Sequence, residues 1–448
     1  MAKSYAEAVR LLSTRSRDWI RMNCSELSRK PRPNNYYMTE WLRVLGHDLE
    51  GFDTIHVTGT KGKGSTCAFT ESLLRAHLQR NGVDAKTGLY TSPHLDTERE
   101  RIRINFQPVA EEVFAKYFFQ IWDTLEQASP PFQPSYLQLL MLLSIHIFRG
   151  EGVDIAVYEV HAGGRYDATN IFPSPVVCGF TPIGLDHIPL LGQNVVDIAW
   201  HKSGIMKAGV PAFSVLQQTE VKTVLEDEAA RVGSPLAFVE TVHPLSPRPL
   251  VAAESMNLSL AIQLANTYLS HSNEILTEGD IVNGIHQYRW PGRFELIEHT
   301  PYRWHLDIAH NETSIPVALA WFRESVEGYE VKGARYPRIL VFGSPVGRDI
   351  AKLVGLIVQF CEEHEFFFDT IIFTAYKRRV DGATVGLEAA QQDTALKIMS
   401  KPPAILRTAS VREALATAQR HEGMQTLVTG SSHLISNAHS LLVSKSLL

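Results

Sequence analysis

The chain has 448 residues, 44% of them hydrophobic and 20% charged, enough for two or three globular domains with substantial cores. Its formal net charge of −5 supplies no general basic field, so nucleic acid is not expected as a partner. No apolar run is long enough to span a membrane, and the N-terminus lacks a continuous apolar signal core. Arg10, Arg15, Arg17 and Arg21 leave a mitochondrial leader open, but Glu7 and Asp18 count against it, and a cytoplasmic location is the primary expectation. The four cysteines, Cys24, Cys67, Cys178 and Cys361, are scattered without metal-ligand spacing and fit reduced thiols in such a compartment.

The first predicted element is a short β-branched strand over 52–57. It runs into Thr58-Gly59-Thr60-Lys61-Gly62-Lys63-Gly64-Ser65-Thr66. A helix is predicted from 65 to about 80, with Phe69, Leu73, Leu74 and Leu78 at helical spacing and a stop at Asn81-Gly82. A glycine-rich turn at such a junction aims free backbone N–H groups at whatever sits above the helix N-terminus, and phosphate is the expected guest. Lys63 would add positive charge, and Ser65 or Thr66 a hydroxyl near a metal. Gly64 separates Lys63 from Ser65, so the strict phosphate-loop order is broken and a bare turn is the competing reading. Agreement of strand, turn, lysine and helix favours nucleotide binding.

Further along, a strand is predicted over 84–91 and helices over 109–127 and 135–149. The run 137–148 is the most apolar, and Ser144 and His146 mark it as a buried helix rather than a membrane segment. Continuous apolar strands follow over 153–160 and 176–181, then a helix over 196–206 and a strand over 210–216. This alternation predicts a doubly wound α/β domain with a mostly parallel sheet. The Pro-rich stretch 243–249 reads as a loop inside that domain. A second α/β pattern begins after Trp290-Pro291-Gly292-Arg293, with strands near 304–308, 339–342, 369–374 and 426–429 and helices over 314–325 and 349–363. The domains are therefore expected at 1–291 and 292–448, with the region before Trp290 as hinge.

Chemistry-bearing residues collect at predicted strand ends, where open α/β sheets bind ligands. Thr91-Ser92-Pro93-His94 closes one strand and precedes the charged stretch 99–103. Glu159 ends an apolar strand, where a carboxylate is costly to bury without a cation, and is followed by Gly163-Gly164-Arg165, Asp167 and Asn170. A Glu159–Arg165 ion pair is the plain structural alternative. Asp186-His187 follows the next strand in the same way. Such donors beside a phosphate loop suggest a Mg2+ site. Lys202, taken alone, reads as a surface lysine.

The order of these pieces resembles the folylpolyglutamate synthase branch of the Mur ligase superfamily, especially its eukaryotic members. The resemblance covers nearly the whole chain: 58–66, 91–95 with 99–105, 163–170, 186–192, 198–211, 290–293, 307–310 and 429–431. It implies a Mur-ligase-type P-loop ATPase domain followed by a smaller Rossmann-like domain. It also implies an ATP-dependent ligase, with ATP and Mg2+ as cofactors and K+ a further candidate. ATP would phosphorylate an acceptor carboxylate, and an amino acid amine, glutamate in the family, would attack the acyl phosphate. By position, Gly59 to Thr66, with Lys63 foremost, hold the nucleotide phosphates, and Ser92, Glu159 and His187 look like the Mg2+ ligands. Lys202 matches a lysine carbamylated in several relatives, a change that would let it support a second metal. Asn257 resembles the residue near adenine. Arg293, Asp307 and His310 resemble second-domain residues that close on nucleotide and acyl phosphate, and Ser431 one near the incoming amino acid. The implied partners are a small carboxylate acceptor and an amino acid, and the implied state is a monomer.

Departures cluster near the acceptor side. Where the family has Gly-(Leu/Ile)-Gly-Gly after the strand-end Glu, this chain has Val160-His161-Ala162-Gly163-Gly164. His161 adds bulk and a titratable group there. Asp-Gly-Ala-His becomes Asp307-Ile308-Ala309-His310, the glutamine before the adenine-side Asn is Glu254, and a glycine is Phe106. The usual Thr-Gly-Asp-Arg-Asp is Pro345-Val346-Gly347-Arg348-Asp349, and Phe-(Arg/Glu)-Phe is Leu137-Gln138-Leu139. Leu137, Gln138, His161, Arg165, His310 and Ser431 are the candidate acceptor or amino-acid contacts. Three alternatives stay open at this point: a paralogue using a non-folate acid, a nucleotide-binding pseudoenzyme acting as a scaffold, and a kinase that stops at phosphoryl transfer.

Overall fold

The computed structural model describes residues 3–15, 35, 37–130, 132–329, 335–378, 382–399 and 403–444. Arg17, Asp18, Arg21 and Cys24 lie outside the described residues. The chain divides into two compact units, Met1–Tyr288 and Arg289–Leu448.

In the first unit, β1 (Asp53–Thr58), β2 (Thr87–Tyr90), β3 (Ile102–Ile104), β4 (Gln107–Pro108), β5 (Ile155–Glu159), β6 (Val177–Phe180), β7 (Ala212–Val215) and β8 (Leu236–Val239) form one sheet. Their order is β4-β3-β2-β5-β1-β6-β7-β8. Strands β2, β5, β1, β6, β7 and β8 run parallel, while β3 and β4 add an antiparallel edge. The hairpin between β3 and β4 turns on Asn105 (φ +48°) and Phe106 (φ +69°), a pair of left-handed residues that matches the strand twist. The strand expected over 84–91 starts only at Thr87, because the Lys86 N–H donates to the Asp154 carboxylate (2.7 Å) instead of joining the ladder.

Parallel pairing follows from the residues: β5 and β6 are buried on both faces, so a helix must cover each side. On one face, helices Tyr5–Thr14, Met38–Val44, Glu111–Ala128 and Tyr136–Gly150 build a core around Phe114, Phe118, Leu140, Phe148 and Tyr158. The helix Lys63–Arg80 packs instead with helices Ala252–Leu269 and Glu278–Gln287. Its C-terminal turn is clasped there: His77 Nδ1 lies 3.1 Å and Arg80 Nε 2.6 Å from the Asp280 carboxylate.

The second unit holds a six-stranded sheet of β9 (Glu295–His299), β10 (Tyr302–Asp307), β11 (Arg338–Phe342), β12 (Thr370–Thr374), β15 (Ala404–Thr408) and β16 (Gln425–Thr429). A two-stranded ribbon of β13 (Tyr376–Lys377) and β14 (Thr384–Val385) stands beside it. The order is β15-β12-β11-β16-β10-β9, parallel except for β9. Helices Ile315–Tyr329 and Ile350–Glu363 fall where the sequence predicts them, and Asp349 caps the second through the Lys352 N–H (3.1 Å).

Burial pushes the fully enclosed His305 down to about 3, with Arg303 adding to the shift. The unfolded chain takes up that proton near pH 6.5. The stabilisation is complete above pH 6.5 and is lost as pH falls towards 3. Its slope is about 1.4 kcal/mol per pH unit while only the unfolded state is protonated. We expect His305→Phe to flatten the denaturation free energy of this unit between pH 6 and 5 by that slope; parallel wild-type and variant profiles would contradict it.

Candidate active site

The turn after β1 is built against neighbouring elements. The Thr60 N–H donates to the Pro182 carbonyl (2.8 Å), and the Thr60 hydroxyl to the Gly184 carbonyl (3.0 Å). Gly59 and Gly62 have φ of +149° and +84°. A Cβ on Gly59 would collide with the Thr181 hydroxyl, and one on Gly62 with the Asn257 amide. Both positions thus require glycine for conformation and for space. Asn257 also accepts from the Thr66 hydroxyl (3.4 Å). Lys63 is the first residue of the helix Lys63–Arg80, whose first turn carries no acidic side chain. Its unpaired N–H groups and positive dipole end suit an anion.

Register brings the strand ends together: β5 pairs with both β2 and β1, setting Glu159 opposite Val57. Glu159 is 4% exposed and accepts the Ser92 N–H at 2.8 Å. Lys202, 2% exposed, donates to the Gly59 carbonyl (2.6 Å). The surface-lysine reading of Lys202 is therefore overturned. The helix Val195–Ser203 turns Ile198 and Lys202, four residues apart, to the same inward face. Burial, with the Lys63 charge adding to it, holds the Lys202 amine well below its ordinary value. His187 keeps an exposed face, yet the surrounding chain desolvates it enough to lower it, with Lys63 and Lys202 reinforcing and Asp186 opposing. Burial raises Asp186, but Lys61, at 3.4 Å, and His187 outweigh it and leave the carboxyl below its usual range. Lys61, Lys63, His187 and Lys202 thus gather around one glycine turn; Lys202 and His187 are shifted toward their neutral forms and Lys61 is shared with Asp186, which leaves Lys63 as the charge offered to a polyphosphate.

Among the described residues, no three His, Cys, Asp or Glu side chains converge as a closed metal cage. A hard cation at this turn would be held by few protein donors and completed by phosphate and water oxygens, the usual arrangement for Mg2+. The buried Glu159 carboxylate fits that role, with Ser92 and His187 as its candidate companions.

The remaining candidates of this unit are placed as follows. Arg165 donates to Glu228 (2.7 Å) and lies over the Trp200 ring (4.1 Å), so the alternative Glu159–Arg165 pair is not formed. Gln138 caps its own helix by accepting the Ser135 N–H (2.8 Å), and Leu137 packs against the aromatic core. His161 faces Tyr90 and Asp167. Glu254 forms a two-pronged pair with Arg248 (2.9 and 2.6 Å), tying the 243–249 loop to the helix that bears Asn257.

In the second unit, Asp307 ends β10 beside Thr429, the last residue of β16. Its carboxylate accepts the N–H groups of Phe294 (3.0 Å) and Ala309 (2.8 Å). The Thr429 hydroxyl donates to the Asp307 carbonyl (2.9 Å). His310 Nδ1 lies 2.8 Å from the Ile308 carbonyl, and Arg293 donates to the Pro291 carbonyl (3.0 Å). Ser431 caps the helix Ser432–Val443 by accepting the His433 N–H. One sheet end therefore carries Asp307 and, through the turns next to it, Arg293, His310 and Ser431. Sequence reading missed Thr181 and Tyr90, since a lone Thr or Tyr at the end of an apolar strand carries no local mark.

No protein-family model matches the chain. A folylpolyglutamate synthase of Neurospora crassa is 36% identical over 450 residues, covering 90% of this chain and 84% of that protein. The solved folylpolyglutamate synthase of Thermotoga maritima superposes with a TM-score of 0.78 at 23% identity, covering 99% of this chain and 98% of that one. The Mycobacterium tuberculosis synthase, solved with ADP and AMPPCP, does so with a TM-score of 0.74 at 21% identity, covering 98% of each. The two structures establish the shared fold. The 36% identity to the Neurospora crassa synthase, sustained over most of both chains, places this protein in the folylpolyglutamate synthase family.

Proposed function

We propose that this protein is an ATP-dependent acid–amino-acid ligase that adds L-glutamate to a carboxylate of a reduced folate. The observation that carries the reading is the glycine turn itself. Its two obligatory glycines and helix N-terminus follow β1, the buried Glu159 ends the adjacent β5, and the buried Lys202 reaches the turn from the helix Val195–Ser203, in a chain of this family. The acceptor carboxylate oxygen attacks the γ-phosphorus of ATP, forming an acyl phosphate and releasing ADP. The amine of glutamate then attacks the acyl carbon. The carbon–phosphate oxygen bond breaks, phosphate leaves with the former carboxylate oxygen, and the amine loses a proton.

The N–H groups of the glycine turn and helix start that are not bonded within the protein, as those of Thr60, Lys61 and Thr66 are, bind the phosphates together with the Lys63 ammonium and offset charge as the γ-phosphoryl moves. Glu159, with Ser92 and His187, would hold Mg2+, which when bound supplies charge neutralisation at the phosphates. The low-pKa amine of Lys202 suits carbamylation, in which nitrogen bonds to CO2 carbon and releases a proton. Asn257 is assigned to the adenine side, as the family resemblance implies. Arg293, Asp307, His310 and Ser431 are assigned on the same ground to nucleotide and amino-acid handling, and Leu137, Gln138 and Arg165 to the acceptor side. The protein is read as monomeric and cytoplasmic. Cys67, Cys178 and Cys361 are free and buried, which fits a reducing compartment. No helix among the described residues is long and apolar enough to cross a membrane.

The full chain incubated with ATP, Mg2+, L-glutamate and tetrahydrofolate is expected to release ADP and phosphate only when both folate and glutamate are present. The folate should gain one glutamyl residue per ADP, read by mass spectrometry. Inert tetrahydrofolate beside another acid that supports turnover would assign a different acceptor. Phosphoryl transfer that is indifferent to glutamate would make the protein a kinase.

A further inference from the structure

His161 stands where the family pattern has glycine, and its side chain is only 4% exposed. The Tyr90 hydroxyl lies 2.7 Å from its Nε2. Its Nδ1 faces the Asp167 carboxylate at 3.3 Å, close in charge terms but out of line for a formed hydrogen bond. Asp167 is itself fixed: it accepts the N–H groups of Ala162 (2.9 Å) and Thr169 (2.9 Å) and the Thr169 hydroxyl (2.8 Å). The Thr169 hydroxyl lies 2.9 Å from His56 Nε2 on β1.

This bridge begins where the sheet stops. The β2–β5 ladder ends at the Tyr90–Tyr158 pair. Beyond it, two contacts join the segments 90–92 and 159–161: Tyr90 to His161, and the Ser92 N–H to the Glu159 carboxylate (2.8 Å). The same segment reaches the other parts of the site. The Gly163 carbonyl accepts the Thr58 hydroxyl (2.6 Å), and the Arg165 N–H donates to the His201 carbonyl (2.6 Å), next to Lys202.

We infer that His161 is a positioning residue for the metal-side carboxylate: through Tyr90 and Asp167 it fixes the separation of the segments carrying Ser92 and Glu159. A histidine at a glycine position is here a brace rather than a ligand contact. The inference rests on the reading of Glu159 as a Mg2+ ligand in an ATP-dependent ligase.

Calorimetric titration of ADP into the full chain over a range of Mg2+ concentrations tests it, using Tyr90→Phe, His161→Phe and the double variant. Phe preserves ring packing at both positions, and a thermal transition confirms folding. Each single variant is expected to raise the Mg2+ concentration for half-maximal tight ADP binding by about tenfold. Metal-free ADP affinity should stay within about twofold of wild type. The double variant should be no worse than the worse single, because both break one bridge. The inference is overturned if His161→Phe responds to Mg2+ as wild type does, or if the single effects multiply. It is also overturned if the substitutions move only the KM for tetrahydrofolate, since His161 would then act on the acceptor. A wild-type chain whose ADP binding ignores Mg2+ would remove the underlying ligase reading, a result visible before any variant is compared.

Discussion

Lys63→Ala lowers kcat/KM for ATP by about 10³-fold, the expected cost of losing a charge aimed at a transferring phosphoryl group. The reason lies in what the neighbouring lysines already do. Lys61 is shared with Asp186 at 3.4 Å, and the Lys202 amine is committed to the Gly59 carbonyl at 2.6 Å. Neither can move to the phosphates without breaking a contact that shapes the turn. Backbone N–H groups of the helix N-terminus remain, so nucleotide affinity falls less than turnover. Lys63→Arg should recover only part of the rate, because a planar fork does not reproduce a compact point charge. Steady-state kinetics beside ADP affinity would check this, and a Lys63→Ala rate within tenfold of wild type would contradict the role.

Glu159 gives the second large effect. Replacing it with Gln keeps an oxygen to accept the Ser92 N–H but removes the anion, so the variant separates the structural contact from the charge. We expect turnover to fall by about 10²–10³-fold and the Mg2+ requirement to rise at least about tenfold, with the thermal transition close to wild type. Glu159→Ala should show the same metal defect together with reduced stability, because it leaves the Ser92 N–H without its acceptor. An unchanged Mg2+ response in Glu159→Gln would take Glu159 out of the metal site.

The glycine turn was legible because everything that defines it lies within one strand, one turn and one helix. Glu159 was legible as a carboxylate closing an apolar strand, where burial demands a partner, whereas His187 was legible only as a donor following the next strand and lies exposed. What escaped depends on strand order and on contacts far apart in the chain. Tyr90 and His161 meet only because β2 lies beside β5 in the sheet. The local candidate for Arg165 was Glu159, but its partner is Glu228 on the helix Thr219–Val232, which carries no functional motif. Lys202 looked exposed until Ile198 on the same inward face is considered. The helix Ala252–Leu269 is buried on most sides, so it shows no apolar stripe to mark it, and Asn257 was reached through family resemblance alone.

The central claim is that ATP activates the acceptor as an acyl phosphate which an amine then captures. Tetrahydrofolate labelled with oxygen-18 in its terminal carboxylate, incubated with the protein, ATP, Mg2+ and glutamate, tests it directly. One labelled oxygen per amide bond should appear in the released phosphate. Amide formation that leaves the phosphate unlabelled would contradict the account.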